Sequence, residues 1–251
     1  MGPAHTTHSV IVGGTRGLGR EVVGLFSSQG HTVSVIGRRP PSEVDCHLPG
    51  THFWTADLSN GDEIQPILRE VVDRNGKPNN LVLLQRFKGQ GDPWAEEIAT
   101  SLTAARTIIE RLVDDFCDGG DKSIVLVSSV VGRFIAEGQP VGYHVAKAAL
   151  VQMARYYAVQ LGSRGIRVNC VSPCTFIKEE NEGFYAKNES LQNLFKRTIP
   201  LGRMGTARDS ANAIAFLCSP MASFVTGQDI VVDGGVSLLS QESLARKVTG
   251  L

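Results

Sequence analysis

Tyr143 and Lys147 are the two residues of this sequence whose types and spacing best suit acid–base chemistry. Apolar residues recur around them at helical spacing, and side chains four positions apart lie on one face of a helix. An ammonium group beside a phenol favours the ionised phenolate, so such a pair can donate and accept a proton. Because ordinary amphipathic helices also carry half-buried tyrosines and solvated lysines, the remainder of the chain must support this interpretation.

Composition and charge indicate which binding partners and which cellular compartment to expect. The chain has 251 residues, enough for one large α/β domain, and its 25 basic and 25 acidic residues cancel. Bulk charge therefore predicts no nucleic-acid or membrane-surface partner. The five scattered cysteines predict neither a disulfide framework nor a metal site. Residues 1–7 lack a signal-peptide core and no apolar stretch is long enough to span a bilayer, so we expect a short flexible N-terminus on a soluble cytoplasmic protein.

A glycine-rich turn near the N-terminus predicts a nucleotide site. It follows a short apolar strand over 10–12 and precedes a helical pattern over 21–29. Glycines let the backbone come close to a pyrophosphate, and the following helix N-terminus attracts an anion. Tight turns contain glycine whether or not they bind a ligand. The position of this turn directly after the first strand is what supports nucleotide binding. The residues of the turn are Gly13, Gly14, Thr15, Arg16, Gly17, Leu18 and Gly19.

The end of the second predicted strand, over 31–36, favours NADPH over NADH. In dinucleotide folds an acid at this point binds the ribose 2′-hydroxyl, whereas an arginine binds a 2′-phosphate. Gly37 stands where the acid would be, and Arg38 and Arg39 follow it. Arg16 in the glycine turn is a further cation for the same phosphate. The alternative is that Arg38 and Arg39 are a solvated loop pair.

Strands and helices alternate along the chain, which predicts a doubly wound parallel sheet of the Rossmann type. Near-continuous apolar strands indicate a sheet covered on both faces, giving a three-layer α/β/α fold. No repeat or linker interrupts the pattern, so we expect residues 1–251 to form a single domain. Further strands are predicted over 52–54, 81–84, 123–127, 166–171 and 229–232, with helices over 62–74, 94–116, 145–161 and 209–218 and an irregular polar segment up to residue 197.

Asp57 follows the third strand and has two open interpretations. Its carboxylate is placed to contact an adenine amino group of a bound cofactor. Equally, Asp and Ser at a strand-to-helix junction commonly prepare the next helix.

Several motifs in this order resemble the single-domain branch of the short-chain dehydrogenase/reductase family, across about residues 8–237. This branch includes enzymes similar to 3-oxoacyl-carrier-protein reductases. The matching motifs are the glycine turn, Asp57-Leu58, Ser128-Ser129, Tyr143-x-x-x-Lys147, the strand over 166–171 followed by Ser172-Pro173, the run from Pro200 to Gly205, Thr226-Gly227-Gln228 and Asp233-Gly234-Gly235.

The resemblance implies a role for each matching residue. Tyr143 would exchange a proton with the substrate oxygen, Ser129 would hydrogen-bond that oxygen, and a nicotinamide would transfer hydride at the carbon. Lys147 would hold the cofactor ribose and favour the phenolate. Ser101 would stand in a relay of protons. Cofactor contacts are further implied at Leu58, Gln85, Pro173 and Phe176.

The chain also departs from the family pattern. Leu83-Leu84-Gln85-Arg86 replaces the usual Asn-Asn-Ala-Gly after the fourth strand, and Ser101 replaces the Asn of the proton relay. Lys178 replaces a Thr beyond the sixth strand. Arg86 and Lys88 are cationic where the family is neutral; they could reach the cofactor or an anionic substrate, but we favour a solvated loop.

The function that fits these residues is an NADPH-dependent reduction of a ketone or aldehyde of a small biosynthetic intermediate. One alternative is an NADP-dependent dehydrogenase of a sugar or secondary alcohol. Another is a catalytically attenuated NADPH-binding regulatory or scaffold protein. The resemblance further implies a substrate lid over about 176–197 and a homotetramer or homodimer formed through the helices over 94–116 and 145–161.

Overall fold

The computed structural model describes residues 6–250, so residues 1–5 of the expected flexible N-terminus lie outside the described residues. The strands are β1 His8–Val12, β2 Thr32–Gly37, β3 Thr51–Thr55, β4 Asn80–Leu83, β5 Lys122–Val127, β6 Ile166–Pro173, β7 Phe176–Ile177, β8 Gly205–Thr206 and β9 Asp229–Val232. The helices are α1 Gly17–Ser28, α2 Gly61–Asn75, α3 Pro93–Glu97, α4 Ala104–Leu112, α5 Val141–Leu161, α6 Glu179–Ala186, α7 Glu189–Thr198, α8 Ala207–Leu217 and α9 Gln241–Thr249.

Seven parallel strands form the central sheet, in the order β3-β2-β1-β4-β5-β6-β9. Every residue of β1, β4 and β6 is buried, as expected for strands covered on both faces. The predicted doubly wound parallel sheet is confirmed.

Helices pack on both faces of the sheet. On one face, Ile108 of α4 and Leu150 of α5 belong to a core that also includes α2. On the other face, Phe26 of α1 and Ile214 of α8 form a second core. The fold therefore has the three layers that the sequence predicts. Over residues 6–250, no helix combines the length and the apolar composition that crossing a membrane requires.

The order of the strands determines where a ligand can bind. β1 lies between β2 and β4, so the connections that leave these strands diverge on either side of β1. In open parallel sheets this divergence opens a crevice beyond the carboxyl ends of the strands. The glycine turn after β1 and the residues after β4 and β5 all reach this edge.

The single helix predicted over 94–116 is interrupted. α3 ends at Glu97, a π-helical segment covers Ile98–Thr103, and α4 continues from Ala104. The prediction was wrong because helical periodicity does not distinguish α from π hydrogen bonding over one turn. The π-helical segment packs against α5 and includes the predicted relay residue Ser101.

The segment predicted as irregular up to residue 197 is ordered into β7, α6 and α7. Local side-chain caps explain the two helices: Asn181 accepts a hydrogen bond from the Lys178 backbone N–H, and Asn188 accepts one from Leu191. β7 pairs with β8, and the C-terminal α9 packs on α7. No residue of α6 is buried, so apolar spacing does not reveal that helix. α7 carries Leu191, Leu194 and Phe195 at helical spacing, which the prediction of an irregular segment missed.

Candidate active site

A cleft of about 460 Å³ opens at the carboxyl edge of the sheet, at the divergence beside β1. It brings together residues that are far apart in the sequence. Most of the predicted site residues border it: Gly13, Thr15, Arg16, Gly17, Leu18, Gly19, Arg38, Arg39, Leu58, Gln85, Ser129, Tyr143, Lys147, Pro173 and Phe176. Asp57 and Ser101 do not border it. Thr100, Arg86 and Cys174 border it although they were not predicted as site residues.

The glycine turn at one end of the cleft leaves no room for side chains. Gly13 and Gly17 have φ angles of +84° and +51°, which L side chains rarely adopt. A Cβ on Gly19 would lie 2.1 Å from the carbonyl oxygen of Gly13. Arg16 caps α1 without a side-chain hydrogen bond, so the first backbone N–H groups of α1 remain available to an anion.

Replacing Gly19 with Ala should lower the free energy of unfolding by about 1–3 kcal/mol, because the new methyl group overlaps backbone atoms. Gly24→Ala is the matched control, since it lies on the same helix and its Cβ would meet no atom within 4 Å. The control should gain about 0.5–1 kcal/mol from helix propensity. Urea unfolding followed by circular dichroism measures both. Equal stability of the two variants would contradict the tight packing at Gly19.

Arg38 and Arg39 stand where the cleft meets a second cavity of about 400 Å³. Both side chains are exposed, and the Arg38 guanidinium donates to the Lys88 carbonyl at 2.9 Å. Asp57 borders only the second cavity. Its carboxylate accepts hydrogen bonds from the Ser59 hydroxyl and backbone N–H, which hold the pKa of Asp57 below its usual range. These contacts match the interpretation of Asp57 as a turn residue before α2.

The first turns of α5 hold Tyr143 and Lys147 at the opposite end of the cleft. α5 begins after Pro140 and approaches α3 so closely that a Cβ on Gly142 would lie 2.8 Å from the Pro93 carbonyl oxygen. Tyr143 is half-buried, and the Lys147 ammonium lies 5.5 Å from the centre of its ring. The predicted helical pairing of these two side chains therefore exists in the fold.

Lys147 is an unusually buried cation. It is 3% exposed, and its Nζ donates to the Val127 carbonyl at 3.0 Å. Burial lowers the pKa of Lys147 to about 8, although the nearby Glu97 carboxylate acts to raise it and the Arg86 guanidinium lowers it further. A lysine in this state changes charge close to neutral pH.

Ser129 follows β5 and begins a short 3₁₀ turn. Its hydroxyl donates to the Pro173 carbonyl and accepts from the Val131 backbone N–H, both at 3.3 Å. These are long hydrogen bonds, so a substrate oxygen can compete for the hydroxyl. The neighbouring Ser128 is buried and donates to the Lys147 carbonyl, which attaches β5 to α5.

Ser101 is buried in the π-helical segment and donates to Glu97 Oε1 at 2.5 Å. Glu97 is itself only 3% exposed and acts electrostatically on Lys147. Glu97 was not among the site residues predicted from the sequence. The burial of Glu97 could have been predicted from its spacing, because residues 97, 101, 104 and 108 share one helical face. The last two of these are apolar core positions.

Arg86 lies over the aromatic face of Tyr143, with its guanidinium carbon 4.3 Å from the ring centre. The preference for a solvated loop was therefore wrong for Arg86, because the chain after β4 turns its side chain into the cleft. Lys88 is exposed, yet it borders both cavities. Among residues 6–250 Arg86 makes no side-chain hydrogen bond or ion pair, and its Nε is buried without a partner.

The segment over α6 borders the glycine turn. Lys178 and Glu180 line the cleft there, and an ion-pair chain ties α6 to α1: Arg20 binds Asp45 at 2.6 Å and Glu179 at 2.5 Å. Cys174 also borders the cleft. Burial raises the pKa of its thiol to about 11, so Cys174 is not a nucleophile at neutral pH.

Comparisons with known proteins identify the family and the fold that this chain resembles. Residues 12–237 match a family profile described as enoyl-(acyl carrier protein) reductase. The 3-oxoacyl-[acyl-carrier-protein] reductase of Chlamydia pneumoniae is 30% identical, over 91% of this chain and 96% of that protein.

Solved structures share the fold. A Burkholderia xenovorans protein described as a short-chain dehydrogenase/reductase is 27% identical, with a TM-score of 0.84 over 94% of this chain and 98% of its own. A structure of ElxO with NADP bound has a TM-score of 0.81 at 22% identity, over 93% of this chain and 100% of its own, a likeness that concerns the fold alone.

Proposed function

The chain belongs to the short-chain dehydrogenase/reductase family of oxidoreductases, and we propose that it uses NADPH to reduce the carbonyl group of a small ketone or aldehyde. The observation that carries the proposal is the position of the Tyr143 phenol. It borders the same cleft as Ser129 and the glycine turn, with the Lys147 ammonium and the Arg86 guanidinium close to its ring.

The cleft fits a dinucleotide along its length. The glycine turn, which a Cβ at Gly19 would fill, suits a pyrophosphate beside the N-terminus of α1. The buried Oε1 of Gln85 has no hydrogen-bond partner among the described residues. Because buried polar groups are normally hydrogen-bonded, a ligand in the cleft would supply the partner. Arg38 and Arg39 would hold a ribose 2′-phosphate, since Gly37 places no carboxylate at the end of β2; the second cavity that both arginines border is also lined by Asp57 and Glu63. Lys147 would hold the nicotinamide ribose.

Tyr143 supplies the proton in the proposed reaction. When bound, NADPH supplies the hydride that reduces the carbonyl carbon. The Tyr143 hydroxyl donates its proton to the carbonyl oxygen, while the Ser129 hydroxyl orients that oxygen. The phenolate that remains lies beside the Lys147 ammonium and under the Arg86 guanidinium, and both charges stabilise it.

The direction of reduction and the choice of NADPH have separate support. The Chlamydia pneumoniae relative is described as a reductase, and ElxO binds NADP. In this chain the arginines after β2 supply the charge that a 2′-phosphate needs. The oxidation of an alcohol would use the same residues in reverse, so the cofactor preference is the first property to measure.

Arg38→Gln should raise the Kd for NADPH about 10- to 100-fold and leave the Kd for NADH within about threefold, because only NADPH carries the 2′-phosphate. Fluorescence titration of the reduced cofactors measures both values. Arg69→Gln on α2 is the matched control, as it removes an exposed arginine away from either cavity. Equal weakening of both cofactors, or of neither, would refute the role of Arg38.

A further inference from the structure

We propose that Arg86 is the receptor for a substrate carboxylate, so that the enzyme acts on 2-oxo or 3-oxo acids rather than on neutral carbonyl compounds. This inference rests on the proposed carbonyl reduction and adds the class of substrate. It starts from the position of a cation that the rest of the fold leaves without an acceptor.

Arg86 is a charged group in need of an oxygen ligand. A guanidinium keeps its charge at any physiological pH and offers five N–H donors, and a half-buried one is normally paired with acceptors. Here the side chain is half-buried against Tyr143, and within residues 6–250 it makes no hydrogen bond or ion pair. Glu180 borders the same cleft, yet no ion pair joins it to Arg86. The donors are therefore available to a ligand in the cleft.

The site of Arg86 specifies where the acceptor must be. The guanidinium carbon lies 4.3 Å from the ring centre of Tyr143, whose hydroxyl would contact the reacting carbonyl oxygen. We therefore place the anion that Arg86 binds one or two carbons from that carbonyl. A carboxylate suits the position because it accepts two parallel hydrogen bonds from one guanidinium.

The cofactor phosphates are the less suitable partner for Arg86. Arg38 and Arg39 border the second cavity, at the end of the cleft where the 2′-phosphate would bind, and Arg86 does not border that cavity. The glycine turn supplies backbone N–H groups for the pyrophosphate. Arg86 instead acts on the charge of Lys147, beside the reacting centre.

Turnover of matched substrates tests the proposal. The probes are 2-oxohexanoate and 3-oxohexanoate with their methyl esters, and the readout is the initial rate of NADPH oxidation. Wild-type enzyme should prefer at least one acid over its ester. Arg86→Gln should lower kcat/KM for that acid about 10- to 100-fold and leave the ester within about threefold. Arg106→Gln, on the exposed face of α4, is the control and should change neither.

The methyl ester distinguishes carboxylate binding by Arg86 from a role of Arg86 in positioning Tyr143 or the cofactor. If Arg86→Gln lowers the rates with acid and ester equally, Arg86 serves Tyr143 or the cofactor, and the proposal fails. If wild-type enzyme reduces the esters as well as the acids, the proposal also fails while carbonyl reduction stands.

Binding provides the second readout, which does not depend on turnover. Saturation-transfer NMR with NADP⁺ present should detect at least one of the two acids, 2-oxohexanoate or 3-oxohexanoate, on wild-type protein and lose the signal with Arg86→Gln. Binding of this kind without any oxidation of NADPH would support the carboxylate site and refute the proposed reduction. No Arg86-dependent binding of either acid would overturn the carboxylate site.

Discussion

Replacing Tyr143 with Phe should lower kcat for carbonyl reduction about 10²- to 10⁴-fold, the range that a positioned general acid contributes. The substitution keeps the aromatic ring and its contact with Arg86 at 4.3 Å. Within residues 6–250 the Tyr143 hydroxyl makes no hydrogen bond, so its loss should cost little stability. The Kd for NADPH should stay within about threefold of the wild-type value, because the ring that borders the cleft remains. Stopped-flow loss of NADPH absorbance measures the rate, and fluorescence titration measures the Kd.

Tyr156→Phe is the matched control for this variant. It removes a hydroxyl from the same helix, but its side chain is 58% exposed and does not border the cleft. Its rate should equal that of the wild type. Full activity of Tyr143→Phe would show that another group donates the proton.

The rate should also fall about tenfold per pH unit above pH 8, because burial brings the pKa of Lys147 to about 8. The protonated ammonium stabilises the phenolate of Tyr143, so activity is present below this pKa and lost as the pH rises through it. The groups that act on Lys147 are Glu97, Arg86 and Cys170. Burial raises the pKa of the Cys170 thiol to about 12, so Cys170 stays neutral. Initial rates between pH 6 and about 10, with a substrate that does not titrate, measure this alkaline limb of the pH–rate profile.

Glu97→Gln should move the alkaline limb to lower pH. The Glu97 carboxylate raises the pKa of Lys147, and an amide in its place no longer does. Glu96→Gln is the control on the same helix, since Glu96 is not buried. If the limb stays in place in Glu97→Gln, or moves to higher pH, the coupling between Glu97 and Lys147 is absent.

Much of the fold was predictable because its signals are local. The glycine turn directly follows an apolar strand, and the four-residue spacing of Tyr143 and Lys147 sets their common face once α5 forms. Alternating apolar strands and helices specify a parallel sheet, and the order of its strands places the cleft. The strand order is the exception, because it depends on pairing between strands that are distant in the sequence, such as β1 and β4.

The electrostatics of the site were not predictable in the same way. Arg86 looked like a loop residue because nothing near it in the sequence indicates that it packs on Tyr143, 57 positions later. Ser101 was expected in a proton relay at the cleft. Its hydrogen bond to Glu97 instead depends on a π-helical turn, which apolar periodicity does not reveal. Arg86 therefore acts through a tertiary contact, and Ser101 through a local contact that depends on the type of helix.

The helices α6 and α7 were missed for a further reason. No residue of α6 is buried, so its cap at Lys178 determines it rather than an apolar stripe. α7 does carry an apolar stripe at Leu191, Leu194 and Phe195, and the prediction of an irregular segment overlooked this helical spacing. The expected lid over 176–197 remains a proposal. It gains support from the contact of Lys178 and Glu180 with the cleft beside the glycine turn.

The most direct measurement of the central claim uses NADPH deuterated at the transferable position of its nicotinamide. Wild-type enzyme is incubated with the oxo acids and esters, and the products are analysed by mass spectrometry. Transfer of hydride to the carbonyl predicts an alcohol that carries one deuterium on the carbinol carbon, formed in equal amount to NADP⁺ and nearly absent with Tyr143→Phe. NADPH binding with no deuterated alcohol from any of these carbonyl compounds would contradict the claim and favour a protein that binds the cofactor without reducing a substrate.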